Sequence, residues 1–258
     1  MIHYCWFGGN PKPKLAEKCI ASWKKYCPDY EIIEWNESNF DVNFNQYCKE
    51  AYEAKKWAFV TDVARLKILY ENGGFYFDTD VELIKNLDPL TENECFMGIE
   101  NSNRCVKVAT GLGMGCIAGF TLIKEMLDDY KDKSFYYENG KENVVTCTER
   151  NFLILQKHGY VEENRIQCIA GAVIYPTEYF SPLEMGSGLM RNKTKNTYSI
   201  HHYSLSWTSE EHQKERQKRL KEQQKKELKY NLSVLPQNMA KKLLGDSRYE
   251  NIKRKIKK

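Results

Sequence analysis

The sequence lacks a long hydrophobic run, a leader segment and a paired set of cysteines. Its longest apolar runs, 116–123 and 168–175, fall far short of the roughly 18 residues that a membrane-spanning helix needs. Residues 1–4 already have the pattern of a strand, with no basic and apolar leader before them. The 9 cysteines are odd in number and show no metal-ligand or disulfide spacing, which indicates reduced thiols. We therefore expect a cytoplasmic protein that does not cross a membrane.

Charge is divided unevenly along the 258 residues. The formal net charge of +4 comes from 39 Lys and Arg against 35 Asp and Glu. Residues 212–258 hold 16 basic and 5 acidic residues, a net charge of +11, which leaves −7 on residues 1–211. The acidic part is long enough to bury one sizeable core. We expect one domain with its own core over 1–208 and a basic helical extension over 209–258.

Strand and helix patterns alternate along the acidic part. An aromatic run at 3–7 predicts a first strand, a helix follows at 15–26, and 30–35 predicts a second strand. Further patterns predict helices at 43–56, 57–72, 119–130 and 147–158, and strands at 75–77, 95–100, 111–117, 166–175 and 197–203. This alternation is typical of an α/β layered domain.

The sharpest local feature is Asp78-Thr79-Asp80, directly after the predicted strand at 75–77. Side chains two residues apart on an extended chain point to the same side, so the two carboxylates converge. Both stay ionised more easily when a cation lies between them. Carboxylates and substrate phosphates are the ligands that hold Mg²⁺ and Mn²⁺. The motif indicates a metal bridge to a diphosphate, and a solvated turn after a strand is the alternative.

Glycines mark a second segment, Gly111-Leu112-Gly113-Met114-Gly115. Their spacing is not that of a dinucleotide-binding loop, and no helix start follows them. The pattern favours a strand that passes close to a ligand or to another backbone.

Three blocks, in this order along the chain, resemble glycosyltransferase family 32. They are the aromatic strand and glycines at 3–9, the string 61–80 that ends in the DXD motif, and the block 200–207. The family contains bacterial capsule and lipopolysaccharide enzymes related to yeast initiating mannosyltransferases, and is distantly similar to the large clostridial glucosylating toxins. The blocks span nearly the whole acidic part, whereas the basic tail has no comparable signature.

The resemblance implies an α/β, GT-A-like nucleotide-diphospho-sugar transferase fold, a mixed central sheet flanked by helices, with a C-terminal helical extension. It also implies a retaining enzyme that uses Mn²⁺ or Mg²⁺ and moves a sugar from a nucleotide-diphosphate donor to a surface polysaccharide or lipid-linked oligosaccharide. Because the sequence shows no carboxylate pair arranged as in glycosidases, we expect transfer on the face of the leaving group.

Site residues follow from the resemblance. The implied donor-binding residues are Trp6, Phe7, Gly8, Asp62, Arg65, Tyr76 and Asp78. The implied catalytic residues are Asp62, Arg65, Asp78, Asp80 and Trp207. Trp6 stacks on the base, Asp62 and Arg65 contact the sugar and phosphates, and Trp207 covers the diphosphate. The alternatives are structural: core packing for both tryptophans, and a surface ion pair for Asp62 and Arg65, three residues apart on a helix.

The metal needs a third protein ligand, because Asp78 and Asp80 alone do not complete an octahedral shell. His201 and His202 lie in the closing strand, and their side chains alternate across it, so only one can face the site. We favour His202, with His201 as the alternative.

Two other functions stay open. One is a nucleotide-sugar- or glycan-binding module without transferase activity. The other is a phosphohydrolase with an aspartyl nucleophile, which fits less well because Glu82 stands where that class would have Thr or Ser.

The basic tail predicts a surface helix. Its apolar residues recur at helical spacing among lysines: Leu235, Met239, Leu243, Tyr249, Ile252 and Ile256. A basic amphipathic helix is typical of binding to an anionic membrane, here the inner face of the cell membrane. A solvated or oligomer-forming helix is the alternative. We expect no nucleic-acid partner, since Tyr249 is the one aromatic residue near the densest basic cluster.

Overall fold

The computed structural model describes residues 1–100, 106–204, 210–234, 239 and 244–256. The chain forms two compact units. The first consists of Met1–Met185 and Met190–Trp207, and the second of Gly186–Leu189 and Thr208–Lys258. Among the described residues, the strands named below lie in the first unit, and two helices lie in the second.

The centre of the first unit is a mixed β-sheet. The described strands of this unit, in chain order, are β1 (Ile2–Cys5), β2 (Ile32–Trp35), β3 (Gly74–Tyr76), β4 (Val81–Leu83), β5 (Cys95–Gly98), β6 (Met114–Cys116), β7 (Gln167–Ile169), β8 (Ala172–Tyr175) and β9 (Ser199–His201). Seven strands form the sheet in the order β2-β1-β3-β6-β5-β8-β7, and β4 pairs with β9. β1 is parallel to β2 and β3, and β5 is parallel to β8, whereas the other neighbours are antiparallel.

Helices accompany these strands. They are α1 (Lys14–Tyr26), α2 (Gln46–Glu53), α3 (Trp57–Asn72), α4 (Thr121–Asp128), α5 (Cys147–Lys157) and α6 (Thr177–Phe180), with a 3-10 turn at Asp88–Glu92. Neighbouring strand residues such as Phe75 and Tyr76 fall into two separate hydrophobic cores, because alternate side chains point to opposite faces of a sheet. Residues of α3 complete one core, and residues of α1 complete the other. The expected mixed central sheet flanked by helices is confirmed.

Helix α3 ends at a glycine pair that sends the chain directly into β3. Gly73 and Gly74 have φ angles of 67° and 91°, which L side chains rarely adopt. A Cβ atom on Gly73 would also lie 2.8 Å from the backbone nitrogen of Ala118. Glycine is therefore required here for both reasons, and the tight turn fixes where Asp78 and Asp80 emerge beyond β3.

The predicted strand at 166–175 is wrong as a single element, because it contains a hairpin. β7 and β8 pair with Ile169 opposite Ala172. Between them, Ala170 and Gly171 have φ angles of 47° and 82°, as a two-residue type I′ turn requires. Alanine rarely adopts a positive φ, so the sequence carried only a weak turn signal.

The second unit contains α7 (Glu210–Val234) and α8 (Asp246–Ile256). Most described side chains of α7 are exposed, and Tyr249 and Ile252 of α8 are half-buried. The predicted apolar positions Leu235 and Leu243 lie outside the described residues. Within the described ranges, no helix combines the length and the apolar character needed to cross a bilayer.

Candidate active site

Asp78 and Asp80 lie between the end of β3 and the start of β4. The backbone N–H of Val81 donates to the carbonyl of Asp78 at 3.0 Å, which closes a tight turn. β4 then pairs with β9, with Val81 opposite His201. This pairing brings a histidine from far along the chain to the DXD motif.

Three side chains converge at this point. One carboxylate oxygen each from Asp78 and Asp80 and one ring nitrogen of His201 all lie within 4.8 Å of one another. His201 Nε2 is 3.1 Å from Asp80 Oδ1, and these two side chains are 12% and 13% exposed. No other set of three such side chains meets in this way among the described residues. Two carboxylates and one imidazole can hold a divalent cation.

The structure places the two histidines in the opposite arrangement to the one that we favoured. His202 Nε2 lies 2.8 Å from Glu82 Oε2, whose carboxylate also pairs with Lys18 at 2.7 Å. His201, the alternative, faces the aspartates. Strand alternation indicated that one histidine faces the site, but the pairing of β9 with β4 decides which one, and that pairing is not visible in the sequence.

Asp80 and His201 form a buried ion pair. Burial disfavours the charged carboxylate, but His201 and the Ser204 backbone N–H, 2.7 Å from Oδ2, hold the pKa of Asp80 well below its ordinary value. Burial also disfavours the imidazolium, but Asp80 and, more weakly, Asp78 and Glu100 raise the pKa of His201. A cation at this site would replace the imidazolium proton, because a histidine ligand must be deprotonated.

Arg65 connects the DXD motif with Asp62. Its Nη2 atom lies 2.6 Å from Asp62 Oδ1 and 3.6 Å from Asp78 Oδ1. The Tyr76 hydroxyl donates to Asp78 Oδ1 at 3.1 Å, and its ring lies 5.3 Å from the guanidinium carbon. Burial lowers the pKa of Arg65, but Asp78 and Asp62 outweigh it and hold that pKa well above its ordinary value. The site therefore contains a permanent cation fixed by its neighbours.

Asp62 also lies beside Cys147, the first residue of α5, which favours the charged form of its carboxylate. A carboxylate is favoured at the N-terminus of a helix. Burial nevertheless raises the pKa of Asp62, with Arg65 acting in the opposite direction. Asp62 thus has Arg65 and Cys147 as neighbours, and no sequence motif marks Cys147.

Gly111 packs directly against the aspartate and the arginine. Its carbonyl accepts from the backbone N–H of Asp78 at 3.0 Å. A Cβ atom at this position would lie 1.9 Å from Asp78 Oδ2 and 2.7 Å from Arg65 Nη1. The predicted close approach of the glycine segment is thus an approach to the candidate active site.

Glu100 is a site residue that sequence reasoning missed. It follows β5, and burial raises the pKa of its carboxyl group while the nearby His201 lowers it. No motif marks it. Its proximity to His201 brings together residues that follow β5 and that end β9, which belong to different sheets.

The first predicted donor residues lie after β1. Trp6 is partly exposed, and its indole N–H donates to the carbonyl of Asn10 at 2.7 Å. The Lys12 ammonium lies 5.7 Å from the centre of the Trp6 ring system. The ring is therefore oriented, with part of its surface open to a ligand.

Phe7 and Gly8 shape the same loop from inside. Phe7 is buried and packs against Phe40, with 5.7 Å between ring centroids. Gly8 has a φ angle of 87°, and a Cβ atom there would lie 2.6 Å from the Trp57 ring. Trp207, predicted to cover the diphosphate, lies outside the described residues.

Comparison with protein families gives a match over part of the chain. Residues 13–97 match the family described as a glycosyltransferase sugar-binding region containing a DXD motif. The inositol phosphoceramide mannosyltransferase 3 of Schizosaccharomyces pombe (strain 972 / ATCC 24843) is 30% identical over 101 residues, which cover 35% of this chain. The chain spans only 26% of that relative's length. The matched family region includes the Asp62, Arg65 and DXD positions.

Three solved structures show a distant likeness. The PaToxG glycosyltransferase has a TM-score of 0.43 and 18% identity, covering 60% of this chain and 67% of its own. A glycosyltransferase involved in glycosylation of the major capsid of PBCV-1 has a TM-score of 0.43 and 13% identity, and the match covers 85% of this chain and 98% of that structure. The galactosyltransferase LgtC, in complex with donor and acceptor sugar analogs, has a TM-score of 0.40 and 14% identity, and the match covers 92% of this chain and 98% of that structure. These likenesses are weak, and we infer nothing about the site from them.

Proposed function

We propose that this chain, whose residues 13–97 match the family of glycosyltransferase sugar-binding regions containing a DXD motif, is a metal-dependent, retaining glycosyltransferase. It moves a sugar from a nucleotide-diphosphate donor to a surface polysaccharide or lipid-linked oligosaccharide. The observation that carries the proposal is the convergence of Asp78, Asp80 and His201 beside the Arg65 guanidinium.

The proposed metal site is built from Asp78, Asp80 and His201. Their ligand atoms are close enough to bind one ion, and the remaining positions go to phosphate oxygens and water. Mg²⁺ prefers oxygen ligands, so the imidazole nitrogen favours Mn²⁺, with Mg²⁺ as the alternative. Such an ion would neutralise the charge that develops on a departing diphosphate.

The donor is held by residues around the metal site. Arg65 is a fixed cation and binds the diphosphate, while Asp62, paired with Arg65, accepts hydrogen bonds from the transferred sugar. Asp78 and Tyr76 face the ribose and the metal side. The partly exposed ring of Trp6 stacks on the base, and Phe7 and Gly8 support its loop. Trp207 covers the diphosphate in the same proposal.

The pairing of the carboxylates fits a transfer that retains the configuration of the sugar, in which the acceptor enters on the face of the leaving group. Asp62 and Asp78 share the Arg65 guanidinium, and Asp80 pairs with His201. We therefore assign none of these groups as a covalent nucleophile. A diphosphate oxygen takes the proton of the acceptor hydroxyl.

A panel of nucleotide sugars tests the proposal. We expect Mn²⁺-dependent hydrolysis of at least one of them, lost in Asp80→Asn and His201→Gln and kept in the matched variant His202→Gln. Metal-dependent thermal stabilisation without turnover would instead indicate a binding module. Release of phosphate from simple esters without a sugar nucleotide would indicate the phosphohydrolase.

We also propose that the extension at 209–258 holds the domain at 1–208 near the inner face of a membrane. The last turn of α8 carries Lys253, Arg254 and Lys255, and each basic residue near an anionic surface contributes about 1 kcal/mol. Flotation of the full chain with anionic vesicles, compared with zwitterionic ones, tests this. Exchange of these three residues for glutamate should lower recovery with anionic vesicles, and equal recovery would contradict the membrane role.

A further inference from the structure

Glu37 presents an exposed carboxylate from an ordered turn that follows β2. The backbone N–H of Phe40 donates to the carbonyl of Asn36 at 2.9 Å, and that of Asn36 donates to Asn39 Oδ1 at 2.9 Å. Asn39 Nδ2 also donates to the carbonyl of Glu34 in β2 at 2.9 Å. The backbone on both sides of Glu37 is therefore fixed before any ligand binds, which lowers the entropy cost of binding.

The Glu37 side chain reaches the glycine loop that follows β1. Its Oε1 atom accepts from the backbone N–H of Gly8 at 2.6 Å and from the Tyr52 hydroxyl at 3.2 Å. The rings of Tyr52 and Trp57 are half-buried and lie 5.3 Å apart, and the Trp57 ring packs against Gly8. These contacts orient the carboxylate at the loop that carries Trp6.

The order of the strands places Glu37 on the same edge of the sheet as the DXD motif. Strands β2, β1 and β3 are neighbours in that order, and all three are parallel. Glu37 follows β2, Gly8 follows β1 and Asp78 follows β3. Because neighbouring strands lie about 4.8 Å apart, Glu37 is roughly 10 Å from the DXD motif along this edge. Ligands of open α/β sheets bind across the carboxyl ends of the strands. A nucleoside diphosphate with its phosphates at the DXD motif thus extends its base towards Glu37.

The carboxylate of Glu37 keeps unused acceptor positions. A carboxylate offers about four such positions on its two oxygens. Gly8 and Tyr52 use two of them, both on Oε1. Within the part of the chain that the structure describes, no group donates a hydrogen bond to Oε2. This oxygen is free to accept from two N–H groups of a ligand.

Guanine is the base whose edge matches an acceptor of this kind. Its ring N–H and its exocyclic amino group are adjacent donors. Uracil has one N–H between two carbonyl groups, and adenine and cytosine each have an amino group beside a ring nitrogen that accepts. A carboxylate accepts hydrogen bonds and donates none, so these three bases leave it facing at least one other acceptor. A polar site rejects a ligand that leaves its groups unpaired.

We infer that Glu37 binds the guanine base of the donor, and that the donor is a guanosine-diphosphate sugar. The inference rests on the proposed function and adds the identity of the base. Gly8 lies two residues from Trp6, so their Cα atoms are at most about 7 Å apart. The base that stacks on Trp6 in the proposed function thereby has Glu37 at its hydrogen-bonding edge.

Isothermal titration calorimetry of the full chain in the presence of Mn²⁺ tests the inference. The probes are GDP, UDP and IDP, which differs from GDP only by the loss of the exocyclic amino group. We expect GDP to bind at least about tenfold more tightly than UDP and about fivefold more tightly than IDP, because hydrogen bonds to a charged group are the stronger ones.

Glu37→Gln should lower the affinity for GDP by about tenfold and leave the affinity for UDP unchanged, because the amide replaces one acceptor oxygen by a donor. GDP and IDP should then bind equally. Glu31→Gln is the matched control, since Glu31 is also exposed but precedes β2, at the opposite edge of the sheet. It should leave all three affinities unchanged.

Binding of UDP as tight as that of GDP, or an unchanged GDP affinity in Glu37→Gln, would overturn the inference. An equal loss for GDP and UDP in that variant would place the contact on the ribose or the phosphates and would also overturn it. Mn²⁺-dependent hydrolysis of nucleotide sugars by the same preparation reports on the proposed function separately. Hydrolysis of a uridine-diphosphate sugar alone would overturn the assignment of guanine and keep the transferase. Selective GDP binding that depends on Glu37, without hydrolysis of any donor, would leave a guanine site and overturn the transferase.

Discussion

The substitution Gly111→Ala adds one methyl group at the centre of the candidate active site. Gly111 is not among the glycines with positive φ, so its backbone accepts alanine. The added Cβ would lie 1.9 Å from Asp78 Oδ2, whereas ordinary contact begins at 3.4 Å. The Asp78 carboxylate would therefore have to move by about 1.5 Å, the difference between those distances. The perturbation acts on a ligand of the proposed metal without removing any side chain.

A displacement of this size should lower the activity far more than the stability. It alters the 3.1 Å hydrogen bond from Tyr76 and the 3.6 Å contact with Arg65. A misplacement of about 1 Å at a reacting centre costs roughly 100-fold in rate. The loss of one hydrogen bond costs about 1 kcal/mol, which lowers the melting temperature by roughly 2–4 °C in a chain of this size. We expect a severe loss of activity in a folded protein.

Mn²⁺-dependent hydrolysis of the best nucleotide sugar, measured with thermal unfolding, is the assay. Gly140→Ala is the control, because nothing lies within 4 Å of its Cβ and its φ of 75° gives a strain of about 1 kcal/mol. It should lower the melting temperature to a similar extent and keep full activity. Unchanged hydrolysis in Gly111→Ala would refute the placement of Asp78 in the reaction.

Two further predictions concern Arg65 and His3. Arg65→Lys should lower kcat/KM by about 100-fold, because one ammonium cannot replace the planar guanidinium shared by Asp62 and Asp78; steady-state kinetics check this, and an unchanged value would contradict it. His3 accepts from Trp35 Nε1 at 3.1 Å and donates to the Gly73 carbonyl at 3.0 Å, and burial lowers its pKa from 6.5 to about 4. Between these values the unfolded chain binds the proton and the folded chain does not, so stability should fall as pH drops from 6.5 to 4, by up to about 3 kcal/mol. Urea unfolding at both ends of this range should show a smaller pH dependence of the unfolding free energy in His3→Gln than in the unmodified chain. The same pH dependence in both proteins would contradict a buried neutral histidine.

Features that depend on local sequence were accessible to prediction. The period of α3, its glycine stop and the apolar strand before Asp78 are encoded within 25 residues, and each helix or strand there forms near its predicted place. The mixed sheet flanked by helices followed from the family resemblance. The side-by-side placement of Asp62 and Arg65 followed from their spacing of three on one helix.

Features that depend on long-range pairing were not accessible. Which of His201 and His202 faces the aspartates depends on the register of β9 against β4. Cys147 and Glu100 reach the site only because distant parts of the chain pack together, and no motif marks either residue. The sequence could show that Gly111 tolerates a close approach, but not that its neighbour is Asp78.

Binding of Mn²⁺ by the full chain tests whether Asp78, Asp80 and His201 form a metal site. Electron paramagnetic resonance of free Mn²⁺, with and without UDP or GDP, measures the affinity in His201→Gln and His202→Gln side by side. We predict one site whose affinity falls by more than about tenfold in His201→Gln and stays unchanged in His202→Gln. Equal affinities in the two variants, or a loss confined to His202→Gln, would contradict the Asp78-Asp80-His201 site.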